Sequence, residues 1–125
     1  MADAVEEDQD SRSQVPINVK WGLENKYILN ILTSDSVGNP VKIKVEPHYM
    51  NIDWDNRPYF IGYRTSGWKP PSAKDGWVII FLENIKKCNI LKEIFKPRIE
   101  SFLSFKKMKD DTFIRPSNFE MMVKD

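Results

Sequence analysis

The chain has one cysteine, one histidine and no apolar run near the ~20 residues that a membrane span requires. A lone Cys88 cannot form an internal disulfide, and one Cys with one His cannot build a zinc site. Only five glycines are present, and neither GxGxxG nor GxxxxGK[ST] occurs, so neither common phosphate cradle is encoded and no cofactor is expected. The first ten residues, MADAVEEDQD, are acidic and lack the apolar stretch of a secretory signal. These absences point to a reducing compartment, nuclear or cytoplasmic rather than secreted, with no membrane partner. They also remove most catalytic options. Nucleophilic catalysis needs a base within reach of the nucleophile. His48, in EPHYMN at a strand end, reads as a structural histidine, and Cys88 as a small buried hydrophobe. Asp53 and Asp55 in NIDWDN could serve acid–base work, but they are ordinary turn residues in a turn-rich stretch. The expectation is a protein that is not an enzyme.

What is present is aromatic and charged. Of 125 residues, 12% are aromatic, with four Trp, and 30% are charged, within the ordinary range for one globular domain. Net charge is +1, unevenly spread. Asp3, Glu6, Glu7, Asp8 and Asp10 face only Arg12 in residues 1–15, a net of −4, which leaves +5 for the remainder. Between Lys86 and Lys109 eight cations oppose Glu93 and Glu100 alone. Residues 1–14 have almost no large apolar side chains and read as a disordered acidic tail, with residues 15–125 as a single globular domain.

The apolar pattern predicts an α+β fold, an antiparallel sheet of four or five strands followed by a C-terminal amphipathic helix. Val15, Ile17, Val19 and Trp21 fall two apart and suggest a first strand, with Pro16 at its start or edge. KYILNILT reads as a strand closed by the turn SDSVGNP. VKIKVE alternates without a break, placing Val41, Ile43 and Val45 on one face and Lys42, Lys44 and Glu46 on the other. YFIGYRTS and WVIIFLEN follow as further strands. From Asn84 the period lengthens. Ile85, Cys88, Leu91, Phe95, Ile99, Phe102 and Leu103 recur at three or four, predicting a helix kinked or split at Pro97. Ser117 and Glu120, at capping-box spacing, suggest a short terminal helical turn.

The binding signal lies in the interleaving of aromatic and cationic residues. Trp54 stands near Arg57, Tyr59 and Tyr63 near Arg64, Trp68 beside Lys69, and Lys74 shortly before Trp77. Single-stranded nucleic acid is bound by cationic surfaces carrying aromatic faces on which bases stack. Tyr59, Tyr63 and Trp77 fit a β core equally well, and the core is the plainer assignment for them. Trp68 is different. It sits in a Gly/Pro/Ser loop stiffened by Pro70-Pro71, with no periodic reason to be buried. The candidate nucleic-acid contacts are therefore Lys42, Lys44, Arg64, Trp68, Lys69 and Lys74.

The stretch SGWKPPSAKDGWVIIF, with Gly67, Lys69, Pro70, Lys74 and Gly76, resembles the lysine–proline loop of the transcriptional positive-cofactor family of single-stranded DNA binders. The resemblance covers about residues 40–105, and this chain departs from it by the extra segment DWDNRPYFIGYRTS, one added residue before Gly76, and Pro97. It implies a homodimer whose basic face binds single strands and whose helices pair through Phe95, Ile99 and Phe102. The same apolar stripe would also pack on its own sheet in a monomer. Two functions follow from these patterns. One is a nucleic-acid-binding module preferring single strands, in which the acidic tail competes for the basic face. The other is a protein–protein interaction or structural assembly module, for example viral, anchored by the same loop. Trp68→Ala and Lys69→Glu separate them, since both weaken oligonucleotide binding only in the first case.

Overall fold

The computed structural model describes residues 3–109 and 117–125, with side chains described from Ser13 onward. Met1 and Ala2 lie outside the described residues. The elements run α1 (Asp3–Asn25), β1 (Tyr27–Ser34), β2 (Pro40–Ile52), β3 (Pro58–Gly67), β4 (Trp77–Phe81), a 3-10 turn (Leu82–Asn84), β5 (Lys87–Ile94), α2 (Ile99–Lys109) and β6 (Met121–Met122). The class is α+β, as the apolar pattern indicated. The strands form a six-stranded antiparallel sheet in the order β4-β3-β2-β1-β5, with β6 added to β2.

That sheet cannot lie flat. Five strands side by side place the outer two about 19 Å apart. Yet β4 and β5, the two ends of the order, are joined only by residues 82–86, part of which is wound as a 3-10 turn rising about 2 Å per residue. The sheet therefore curls, and two register shifts in the 13-residue β2, between Lys44/Val45 and Pro47/Tyr49, supply local bending. The concave inner face encloses one core, drawn from every part of the sheet: Leu29 and Ile31 of β1, Ile43 and Val45 of β2, Phe60 of β3, Val78 and Ile80 of β4, and Cys88 of β5.

Helix α1 closes this inner core. Val15, Val19 and Leu23, each four residues after the last, are buried on one face. The alternation of Val15, Ile17, Val19 and Trp21 predicted a strand there, and the structure corrects this to a helix that also takes in residues 3–14. Both periods were present in the sequence. The period of four wins because it turns three apolar side chains inward, whereas Ile17 and Trp21 stay more than half exposed. Asn25 Nδ2 donates to the Trp21 carbonyl and Lys26 takes a left-handed conformation (φ 60°), a C-terminal stop. Asn18 Nδ2 donates to the Cys88 carbonyl at 2.8 Å, fastening α1 to β5.

A second correction concerns residues 85–94, where the spacing of Cys88, Leu91 and Phe95 predicted helix. The segment from Lys87 is strand, paired with β1 from Leu32↔Lys87 to Tyr27↔Ile94. An exposed edge of β1 offers a ladder of backbone partners that local helical spacing does not outweigh. Helix begins only at Ile99, after Pro97, so the division of the predicted helix falls where the proline lies. The expected helical turn at Ser117–Glu120 is also corrected: it is a turn leading into β6. Phe119 N–H donates to Ser117 Oγ, a local bond that holds the turn without helix.

Helix α2 packs on the opposite, outer face of the sheet. Phe102 and Phe105 are buried over Trp77, with ring centroids 5.7 and 6.1 Å away. Tyr49, Tyr59 and Ile61 complete this second core. The helices thus lie on opposite faces: α1 over β1, β2 and β5, and α2 over the β3–β4 part.

Candidate nucleic-acid interface

Because α2 covers only one part of the outer face, the outer side chains of β1, the start of β2 and β5 are not covered by any described element. Alternation and register decide which these are. Val45, Ile43 and Ile31 point into the inner core, so Lys42, Lys44, Asn30 and Leu32 point out. Lys42 is opposite Leu32, and Leu32 is opposite Lys87. In the adjacent row Ser66 is opposite Lys44, Lys44 opposite Asn30, and Asn30 opposite Asn89. Two cross-strand rows therefore display three lysines, two asparagines and a serine around the half-buried Leu32. At about 4.8 Å per strand, the Lys42 and Lys87 backbones are about 10 Å apart. Lys44 Nζ is 3.9 Å from Glu93, both largely solvated, a pair of little worth. Lys42 and Lys87 have no ion-pair partner among the described residues.

The boundary between the open and covered parts is a polar knot at the start of α2. Arg98 Nε donates to Glu46 at 2.9 Å, and its guanidinium lies 3.9 Å above the Tyr63 ring. Glu46 is buried, so the pairing satisfies a carboxylate that would otherwise be stranded. His48, fully buried, accepts the Arg98 backbone N–H on Nε2 (2.9 Å) and contacts the Glu46 carbonyl through Nδ1 (2.8 Å). The two bonds together require a neutral ring carrying its proton on Nδ1. Burial, with the positive charge of Arg98 nearby, brings its pKa down to about 4. His48 is a fixture of the fold, with Trp77 edge-on at 4.8 Å.

The other candidates fall elsewhere. Arg64 is opposite Val45 and so belongs to the inner-face side, where its guanidinium donates to the Gly67 carbonyl at 3.1 Å. Trp68 is half-buried against the inner core, its backbone N–H bonded to the Lys42 carbonyl at 2.9 Å. Lys69 is exposed beside it. Lys74 points toward α2, with Nζ 3.6 Å from Met108 Sδ. The six predicted contacts are thus divided: Lys42 and Lys44 share the outer strip, Arg64, Trp68 and Lys69 lie on the other side, and Lys74 borders α2. Phe95 and Phe102 are buried within this chain, at 5% and 0% exposure, and Ile99 is half-buried. Phe95 and Phe102 pack on the chain's own residues. Cys88 is buried, and burial pushes its thiol up to about 12. Asp53 is a turn staple. Its Oδ1 accepts the N–H groups of Asp55 and Arg57 and its Oδ2 pairs with the Arg57 guanidinium at 3.1 Å. Burial opposes its charge, but these donors outweigh it and hold the carboxyl below its usual range.

Lys87, Asn30 and Asn89 were missed in the sequence reading. Their signal is the alternation K-C-N-I at 87–90, which turns Lys87 and Asn89 outward once the segment is read as strand.

At the end of the curled sheet a groove of about 740 Å3 opens beside Trp68, lined also by Ile43, Pro70, Leu82, Ile85 and Lys86. Among the described residues no group of three or more His, Cys, Asp or Glu could hold a metal ion, and no helix is long and apolar enough to cross a membrane.

No family model matches the chain, and no curated relative does. Among solved structures it is similar to the proteasome accessory factor B/C (PafBC) of Arthrobacter aurescens, with a TM-score of 0.55 and 15% identity. The match covers 73% of this chain but 14% of that one. The likeness is one of fold.

Proposed function

We propose that the chain is a non-enzymatic nucleic-acid-binding module that prefers single strands, with the outer strip of Lys42, Lys44 and Lys87 as its main contact. The observation that supports this is the strip itself, three lysines and two amide side chains on adjacent strands with no described element over them. Lysines on such a surface neutralise phosphates, and Asn30, Asn89 and Ser66 offer donors and acceptors to sugar and base edges. Leu32, between Lys42 and Lys87, gives an apolar floor. A single strand lies on such a surface without the deep groove that a duplex reader inserts into, which favours unpaired over paired nucleic acid. Lys69 and Arg64 extend the positive charge around the sheet edge, and the acidic charge of residues 3–10 opposes nucleic acid at long range. The resemblance to the positive-cofactor family agrees in partner class, although its paired-helix dimer is not needed here.

Fluorescence anisotropy of a labelled oligothymidylate at low and physiological salt tests the proposal. Binding is expected to weaken steeply with salt, with a slope of about −0.7 per phosphate neutralised. The triple replacement of Lys42, Lys44 and Lys87 by Glu should abolish it while leaving the urea midpoint nearly unchanged. Salt-independent binding, or full binding by the triple variant, sinks the assignment.

A second reading as a protein-interaction module is favoured by Ile17 and Trp21, one turn apart on α1 and 53% and 55% exposed. Under it Trp21→Ala removes a protein partner and leaves oligonucleotide binding intact.

A further inference from the structure

The polar knot at the start of α2 borders the lysine strip and leaves one group only partly used. Lys44 and Glu46 are alternate residues of β2 on its outer face, about 7 Å apart. Tyr63, opposite Glu46, packs with the outer core. Three contacts set Arg98 over this corner. Its backbone N–H donates to His48 Nε2 at 2.9 Å, and its Nε donates to Glu46 at 2.9 Å. Its guanidinium carbon lies 3.9 Å from the centre of the Tyr63 ring. So close an approach has no room for an amino group pointing at the ring, so the two planes lie face to face. Nε lies in the guanidinium plane, and a bond there with a ring beneath fixes both the position and the tilt of the group.

The Arg98 side chain nonetheless stays 43% exposed. Tyr63 covers one face, so the exposure belongs to the side turned away from it. Neither Nη has a hydrogen-bond partner among the described residues. Charge then decides what this face would take. The charge of Arg98 is met by the buried Glu46, whereas Lys42 and Lys87 have no ion-pair partner among the described residues. A phosphate is drawn to the lysines. What Arg98 has left to offer is a flat, electron-poor surface held in place before anything binds, and an unpaired base stacks on such a plane.

We propose that the outward face of the Arg98 guanidinium is the base-stacking platform of the nucleic-acid surface, with an unpaired base lying on it while the adjoining phosphates lie on Lys44 and Lys42. This rests on the strip being a single-strand surface. It adds the group that recognises the base, where the lysines recognise only the backbone, and so separates a single strand from other polyanions.

Fluorescence anisotropy on the full chain tests it by comparing a labelled oligothymidylate with an abasic deoxyribose-phosphate oligomer of equal length. Wild type should bind the oligothymidylate more tightly by roughly tenfold, the worth of one stacked base. Arg98→Lys keeps a cation beside Glu46 but removes the plane, so it should shrink that ratio toward one, with most of the loss in oligothymidylate affinity. A strand carrying iodouracil, photocrosslinked to wild type, keeps the test valid even where Arg98→Lys fails to fold; its adduct should fall on Tyr63 or on the peptide containing Arg98. Equal binding of both oligomers by wild type, with the salt dependence retained, overturns the platform and leaves the lysine strip standing. A ratio that Arg98→Lys does not move, or a crosslink away from Tyr63 and Arg98, does the same. No binding of either oligomer overturns both assignments.

Discussion

His48 shows how a residue rich in possible chemistry becomes structural. Its ring is neutral in the folded state, because protonating Nε2 would set two donors, that nitrogen and the Arg98 N–H, against each other. With the folded pKa at about 4 and an ordinary unfolded value near 6.5, the unfolded chain binds the extra proton between those limits. Stability is therefore full above pH 6.5 and is lost as pH falls toward 4, by about 3 kcal/mol if the whole shift is realised. The check is a series of urea unfolding curves from pH 7.5 to 4.0. Wild type should lose stability across this window more steeply than His48→Gln, whose amide keeps an acceptor near Arg98 but does not titrate there; equal slopes refute the assignment. The structural role of His48 was legible in the sequence, where it stands at a strand end among apolar neighbours. Its partner Arg98 was not legible, since the two lie fifty residues apart.

At the scale of elements, α2 distinguishes two neighbours that the helical period treated alike. Phe102 is fully buried in the outer core, and Leu103 is 45% exposed. Phe102→Ala should cost about 3–5 kcal/mol and Leu103→Ala no more than about 1 kcal/mol, read from denaturant midpoints at constant m. The central strands were readable because β-branched and aromatic residues crowd them, although both faces are used: β3 buries Phe60 in the inner core and Tyr59 and Ile61 in the outer one. Residues 15–25 and 85–94 were not, since each contains both a two-residue and a four-residue apolar period. What chose between them is tertiary. The first segment closes a curled sheet, where a helix turning Val15, Val19 and Leu23 inward fills the space. The second lies along the open edge of β1, where only a strand satisfies the backbone. Gly62 marks the closeness of that packing. A Cβ there would come within 2.3 Å of Val45, so Gly62→Ala should destabilise by about 1–3 kcal/mol, seen as a lowered midpoint.

For the whole molecule, the division of charge is the quantity to test. The five acidic residues between Asp3 and Asp10 oppose the positive remainder. Replacing them with Asn and Gln should tighten oligonucleotide binding at low salt. The gain should fade as the Debye length shrinks from about 10 Å at 0.1 M to about 3 Å at 1 M. A gain that persists at high salt would point to something other than charge competition. The candidate strip was half legible. Lys42 and Lys44 stood out on an alternating strand, whereas Lys87 was hidden by the helical reading of its segment. Arg64 and Trp68 were grouped with them for the aromatic or cationic residue beside each, a local signal that does not say which face of the sheet a residue joins; Arg64 is opposite the inward Val45.

The bond from Asn18 to the Cys88 carbonyl has a consequence for how the protein is made. The helix leaves the ribosome first, but the strand it fastens to is the last of the curled sheet's five. During synthesis Val15, Val19 and Leu23 can meet β1 and β2 early, but they lack the β5 part of their surface until Ile94 has emerged. Nascent chains arrested short of that point should be cut readily by protease within residues 13–25, and those arrested well beyond it should be protected.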